Sequence, residues 1–214
     1  MEANCIILAG GKGLRLGRDK GLETVGESSL LKRVVFSVAF LNSDIIIVTA
    51  TKLSLPQPIS HPKLKTAADI YPGKGSLGGI HTGLVASEAF YNLVVACDMP
   101  FLNEDLLRYM LQVAPGFDAV VPRLDNMVEP LHTIYSKDCL APIKQLLEQG
   151  KLSVTELFSL VNTRYIEVDE IDRFDPEHLS FFNINTKADL QQAKELAKIQ
   201  DTAIKEGDIS SDKR

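Results

Sequence analysis

The 214-residue sequence has no excess of positive charge: 23 Lys and Arg stand against 28 Asp and Glu, a formal net charge of −5. Proteins that bind nucleic acid or anionic membranes present a net basic face. Neither partner is expected, although a local basic pocket for a small anion stays open. Cysteine is scarce. Cys5, Cys97 and Cys139 form no close pair and no metal-ligand spacing. Cys5 and Cys97 lie in apolar runs and read as buried thiols, and an odd, unpaired set suits a reducing cytoplasm. No apolar run approaches the ~18 residues of a membrane span. The opening "MEANCIILAGG" has no basic region followed by a long apolar segment, so no secretory leader is expected. There is no internal repeat. His61, His81, His132 and His178 have no partner at metal spacing, and no Gly-x-Ser-x-Gly elbow occurs.

Four short, continuous, β-branched runs are present: Asn4–Ala9, Asp44–Ala50, Asn92–Cys97 and Phe117–Pro122. Strands buried on both faces by helices look like this. Helical patterns lie between and after them. Leu30, Leu31, Val34, Val35 and Val38 fall on one stripe, with Ser28 or Ser29 able to cap its start. Asn103 precedes a second helix that ends at Pro115-Gly116. Ser153 and Glu156 have capping-box spacing, and Thr186 with Asp189 opens the last helix. The Pro-rich segment 51–65 reads as loop. The alternation implies an α/β fold with a mainly parallel sheet. Length fits a single domain over residues 1–200, and the polar stretch 201–214 reads as a frayed tail.

The segment Leu8–Leu22, "LAGGKGLRLGRDKGL", directly follows the first strand and carries five glycines with Lys12, Arg15, Arg18 and Lys20. In a parallel sheet this is the carboxyl edge, where ligands bind. Glycines let backbone N–H groups surround a phosphate, and the cations neutralise it. Two familiar phosphate loops fail on spacing. A P-loop needs Lys followed by Ser or Thr after its last glycine, but Lys12 and Lys20 each precede glycine. The dinucleotide fingerprint, started at Gly11, finds Gly13 in third place but Leu16 in sixth.

Leu8-Ala9-Gly10-Gly11 followed by Arg15, Gly17, Asp19 and Lys20 resembles the opening of the molybdenum cofactor guanylyltransferases, within the wider nucleotidyltransferase superfamily, and the resemblance implies a Rossmann-like three-layer α/β/α sandwich with a mainly parallel sheet. Three later segments extend the likeness over residues ~4 to ~196. "DIYPGKGSLGGIHTGL" (Asp69–Leu84) is similar to the family's aspartate, Pro-Gly turn and helix start, with Ser76 and Gly79 where Pro and Ala are commoner. "VVACDMPFL" (Val94–Leu102) matches a strand ending in Asp with Pro two residues on. "FFNINTKADL" (Phe181–Leu190) matches a late Asn-x-Asn-Thr motif, with Lys187 where Pro is common.

The residues support roles of their own. Asp98 follows an apolar strand, so its carboxylate should emerge beside the glycine loop and could hold Mg²⁺; the alternative is a cap on the next turn. Asp69 could accept from a base or ribose, or be an ordinary turn aspartate. Asn183 and Asn185 flank Ile184 in what reads as a short strand, which would set both amides on one face. The resemblance implies transfer of GMP from GTP to molybdopterin, with release of pyrophosphate. It implies that Leu8, Ala9, Gly10 and Gly11 cradle the nucleotide, that Arg15 and Lys20 neutralise its β- and γ-phosphates, and that Asp98 carries Mg²⁺. Asp69 would contact the nucleoside, and Asn183 and Asn185 the acceptor or the metal. Arg123–Tyr135 looks like the family's loop and strand at the second substrate's pocket. A cytoplasmic enzyme in transient contact with proteins that supply or receive the cofactor is expected. The alternatives are a cytidylyltransferase on the same cofactor, a nucleotidyltransferase for another small phosphorylated acceptor, and a non-catalytic nucleotide-binding module.

Overall fold

The computed structural model describes residues 2–9, 23–26, 28–50, 59 and 61–211, with backbone only from 200 onward. Among the described residues there are ten strands: β1 Ala3–Leu8, β2 Thr24–Val25, β3 Ser28–Ser29, β4 Ile45–Thr49, β5 Leu64–Ala68, β6 Tyr91–Ala96, β7 Ala119–Leu124, β8 Met127–Val128, β9 His132–Ser136 and β10 Thr163–Ile166. The helices are α1 Leu30–Ser37, α2 Gly75–Ala86, α3 Glu104–Gln112, α4 Leu140–Glu148, α5 Val168–Ile171 and α6 Lys187–Ser211. The main sheet runs β10-β7-β9-β6-β1-β4-β5, with β8 on β7. The pairings β4–β5, β1–β4, β1–β6 and β7–β10 are parallel; β9 is antiparallel to both β6 and β7.

All four expected strands form. β1 sits mid-sheet with every residue buried. Ala3, Cys5 and Ile7 face a cluster containing Leu31, Val34 and Val35 of α1 and Leu106, Leu107 and Met110 of α3. Ile6 and Leu8 face a second cluster, with Leu77, Ile80 and Leu84 of α2 and Ile143, Leu146 and Leu147 of α4. Alternation along one strand therefore feeds both outer layers, and the three-layer α/β/α sandwich follows. A third cluster joins Val25, Leu30, Phe101, Ile184, Ala193 and Ala197, packing α6 onto the small β2–β3 hairpin.

The helix caps follow the sequence in three places. Ser29 accepts from the Lys32 N–H at 3.3 Å, and Asn103 accepts from the Leu106 N–H at 2.9 Å. Thr186 and Asp189 bond each other's backbone N–H at 3.1 and 2.7 Å, which starts α6. The Ser153–Glu156 box does not form: Val154–Ser159 is a 3₁₀ helix, the Ser153 hydroxyl turns to Thr155 at 2.7 Å, and Glu156 pairs with Lys151. The stretch expected as a tail after Gln200 carries α6 to Ser211. Ala203, Lys205 and Glu206 are good helix formers, so polarity alone does not end the helix. No helix among the described residues is long and apolar enough to cross a membrane.

Two features of the core stand out energetically. The first is the approach of α2 to β1. A Cβ added at Gly83 would lie 2.3 Å from Ile6 Cγ2, whereas one at Gly79 would lie 3.3 Å from the terminal methyl of Leu8. The second is His132, fully buried in β9, 4.8 Å between ring centroids from Phe181, with neither ring nitrogen hydrogen-bonded. Burial pushes its pKa down from 6.5 to about 3, so the folded protein holds it neutral. All three cysteines are buried and none forms a disulfide, and burial raises the thiols of Cys5 and Cys139, as befits structural thiols.

Gly83→Ala is expected to destabilise the protein by about 1–3 kcal/mol in urea unfolding. Ile6 is β-branched and has no free rotamer to yield, and this exceeds the ~1 kcal/mol of helix propensity gained. Gly79→Ala, which meets only a flexible leucine end, should fall within about 1 kcal/mol of the parent. Linkage sets a second expectation. Between pH 6.5 and 3 the unfolded chain protonates His132 and the folded one does not, so unfolding takes up a proton and stability falls as pH drops through that window. Replacing His132 with Phe should flatten this part of the stability–pH curve, by up to a few kcal/mol. An unchanged acid limb would contradict the assignment.

Candidate functional site

Strand order fixes where a ligand can sit. From β1 the chain steps to β4 and β5 on one side, then returns through α2 to β6 on the other. The carboxyl ends of β1 and β6 therefore flank the topological switch point, where open α/β sheets bind ligands. Backbone bonds knit this edge. The Leu8 carbonyl accepts from Cys97 at 3.2 Å, the Ala9 N–H donates to Val48 at 2.9 Å, and the Asp69 N–H donates to Thr49 at 2.8 Å. Leu8 and Ala9 thus stand beside Asp98 at the top of adjacent strands. The half-buried Asp98 emerges at the edge the sequence implies, and its carbonyl accepts from the Ile184 N–H at 3.1 Å. That bond brings the Asn183–Asn185 segment, 85 residues downstream, onto the same edge.

The asparagine pair differs from expectation in one respect. Residues 182–185 are irregular, not a strand, because Ile184 spends its N–H on Asp98 and the following Asn185 and Thr186 N–H groups both bond Asp189. Alternation survives: Ile184 is fully buried in the third cluster, while Asn183 is half-buried and Asn185 exposed. The Asn183 amide donates to the Phe181 carbonyl at 3.2 Å. Asp69 holds its turn with one oxygen. Its Oδ1 accepts from the Tyr71 N–H at 2.9 Å and lies 3.0 Å from the Thr82 hydroxyl, which itself accepts from Ile70. The turn-aspartate role is therefore filled by Oδ1. Gly10, Gly11, Arg15 and Lys20 lie outside the described residues.

Among the described residues, no group of three or more His, Cys, Asp or Glu could hold a metal ion. A lone carboxylate at the sheet edge suits Mg²⁺ rather than a preformed cage, because that ion takes one or two carboxylates and completes its shell with substrate phosphates and water. A cavity of about 620 Å³ opens elsewhere, against α1, lined by Arg33, Phe36, Phe101, Asp175 and Leu179 among others. Among the described residues it touches none of the expected site residues, and the edge chemistry outweighs its size.

Sequence reasoning passed over two contributors. Thr82, on α2, orders the Asp69 turn; no motif marks it. The Ile184–Asp98 backbone bond leaves no compositional trace.

Comparison with known proteins agrees with this geometry. Residues 5–163 match the MobA-like NTP transferase domain. A probable molybdenum cofactor guanylyltransferase of Pelotomaculum thermopropionicum is 34% identical over 200 residues, covering 92% of this chain and 94% of that protein. One from Peptoclostridium acidaminophilum is 36% identical over 196 residues, covering 88% and 87%. The crystal structure of molybdopterin-guanine dinucleotide biosynthesis protein A from Archaeoglobus fulgidus superposes with a TM-score of 0.79 at 27% identity, covering 91% of this chain and 98% of that one. The chain belongs to the MobA-like NTP transferase family.

Proposed function

We propose that this protein transfers GMP from GTP to molybdopterin, forming the guanine dinucleotide cofactor and pyrophosphate. The observation that carries the reading is the meeting of three segments at one sheet edge: the end of β1 that opens the glycine loop, Asp98 after β6, and the Asn183–Asn185 segment bonded to it. In the reaction an oxygen of the acceptor's terminal phosphate attacks the α-phosphorus of GTP in line. A P–O bond forms there, and the bond to the β-phosphate breaks as pyrophosphate leaves. No covalent intermediate with the protein is needed. The chain must position two polyanions and offset their repulsion.

In this reading the Leu8–Gly11 backbone cradles the nucleotide, and Arg15 and Lys20 lie against the β- and γ-phosphates. The remaining oxygen of Asp69 faces the nucleoside. Asp98 would hold Mg²⁺, which when bound would supply positive charge to offset that of the phosphates. Asn183 and Asn185 lie towards the acceptor. The family likeness and the names of the relatives favour guanine.

Pyrophosphate release with molybdopterin and Mg²⁺, compared across GTP, CTP, ATP and UTP, tests the reading. Release with GTP alone is the expected result. Release with CTP alone would make the protein a cytidylyltransferase, and silence with all four would refute the reaction. Lys20→Ala should lower kcat about 10²–10³-fold, as loss of one transition-state charge does; a fall below tenfold with GTP affinity intact would remove Lys20 from that role. Asp98→Asn should raise the Mg²⁺ concentration needed for half-maximal turnover, read in the same assay.

A further inference from the structure

The arm that returns from β8 to β9 contains an insertion in register. Val120 of β7 pairs with Ile134, and Arg123 pairs with Val128. Two β7 residues, 121 and 122, therefore stand opposite five, 129–133. The three extra residues bulge at the carboxyl edge, between the ends of β6 and β7. Bulges in such places re-aim a side chain.

This bulge is firmly pinned. The Glu129 N–H donates to Pro122 at 3.1 Å, and the Glu129 carbonyl accepts from the His132 N–H at 3.1 Å and the Thr133 hydroxyl at 2.7 Å. The Pro130 carbonyl accepts from the hydroxyl of fully buried Tyr135 at 2.9 Å, and the Leu131 carbonyl accepts from Ala96, at the end of β6, at 3.2 Å. Five hydrogen bonds thus fix the backbone that presents Glu129. Its carboxylate is half-buried and has no hydrogen-bond or ion-pair partner among the described residues. The nearest cation on β7, Arg123, is committed elsewhere: it pairs with Glu167 and lies over the Tyr165 ring at 4.5 Å. Burial raises the Glu129 carboxyl above its ordinary pKa. Among the described residues this partly desolvated carboxylate is held without a partner, which costs stability and leaves it able to accept from donors outside them.

We propose that Glu129 recognises the acceptor, its two oxygens accepting a pair of N–H bonds from a heterocycle that carries an amino group beside a ring N–H. A pterin presents such a pair. This rests on the function proposed above. Placement favours the acceptor over the nucleotide. The end of β1, where the glycine segment begins, and Asp69 lie on the β1–β5 half of the edge, whereas Glu129 sits on the other side of Asp98, on the β8–β9 arm that runs beside β6. A carboxylate there would repel phosphate, so the ring end of the acceptor faces it while the phosphate end lies near Asp98. A carboxylate taking two N–H bonds at once gives both orientation and selectivity.

The test combines kinetics with direct binding. The parent and Glu129→Gln are assayed with saturating Mg·GTP while metal-free molybdopterin is varied under anaerobic conditions. Glu129→Gln keeps the shape and removes the charge and half of the acceptor capacity. The acceptor KM should rise at least tenfold, and the Kd for GTP should stay within twofold. The urea midpoint should be equal to or above the parent's, because an unfavourably buried carboxylate has gone. An acceptor KM within twofold of the parent overturns the proposal, and so does a selective loss of GTP affinity, which would place guanine against Glu129. If the parent does not turn over at all, the reaction proposed above fails, and Glu129 is then judged on pterin binding read by its fluorescence. At least tenfold weaker binding by Glu129→Gln sustains the recognition role. Equal binding, or no pterin binding by the parent, ends it.

Discussion

The parallel pairing of β1 with β6 is the constraint on which the rest hangs. Ile7 lies opposite Val95 and Leu8 opposite Ala96, and the next bond in the ladder runs from the Cys97 N–H to the Leu8 carbonyl. Slide that register by one residue and every side chain of β1 changes face. Ile6 would leave the glycine stripe of α2, and Asp98 would no longer stand level with the start of the glycine segment. The register is held because both faces of β1 are buried, each against its own helix layer. Packing in the core therefore sets the chemistry at the edge.

Around that pair the edge is assembled mostly by backbone. Bonds from Ala9, Asp69, Ala96 and Ile184 draw in β4, β5, the β8–β9 arm and the segment before α6. Main-chain bonds fix these positions without using the Glu129 carboxylate, which has no partner among the described residues. Under the proposed function, sheet order divides the edge: nucleotide from the end of β6 towards β5, acceptor on the β9 side of β6, with Asp98 between them.

Much of this was legible in the sequence. β1, β4, β6 and β7 are apolar runs buried on both faces, and such runs advertise themselves. β5 and β10 do not, because edge strands are short and half exposed; Leu64–Ala68 offers only alternating, weakly apolar residues. β9 is hidden for another reason. It buries His132, Thr133, Tyr135 and Ser136, so its composition reads as polar although none of it meets water. The reversed direction of β9 comes from the tight Asp125-Asn126 turn, which is too short for a parallel crossover. At the site, Leu8, Ala9 and Asp98 were readable because each follows directly from a recognisable strand. The asparagine pair was placed at the right edge in the wrong backbone form, since a single bond from Ile184 to Asp98 decides it. Glu129 fell within Arg123–Tyr135, the segment likened to the second substrate's pocket, but nothing singled it out there, because a three-residue excess in a hairpin shows only once both arms are in register.

The central claim is that nucleotide binds between the carboxyl ends of β1 and β6. Amide hydrogen exchange with and without Mg·GTP tests it most directly. New protection at Ala9, Cys97, Asp98 and Ile184, with no change near Val85–Phe90 at the opposite edge, is the result this account predicts. Protection confined to the cavity beside Arg33 and Phe36, with the strand ends unchanged, would contradict it.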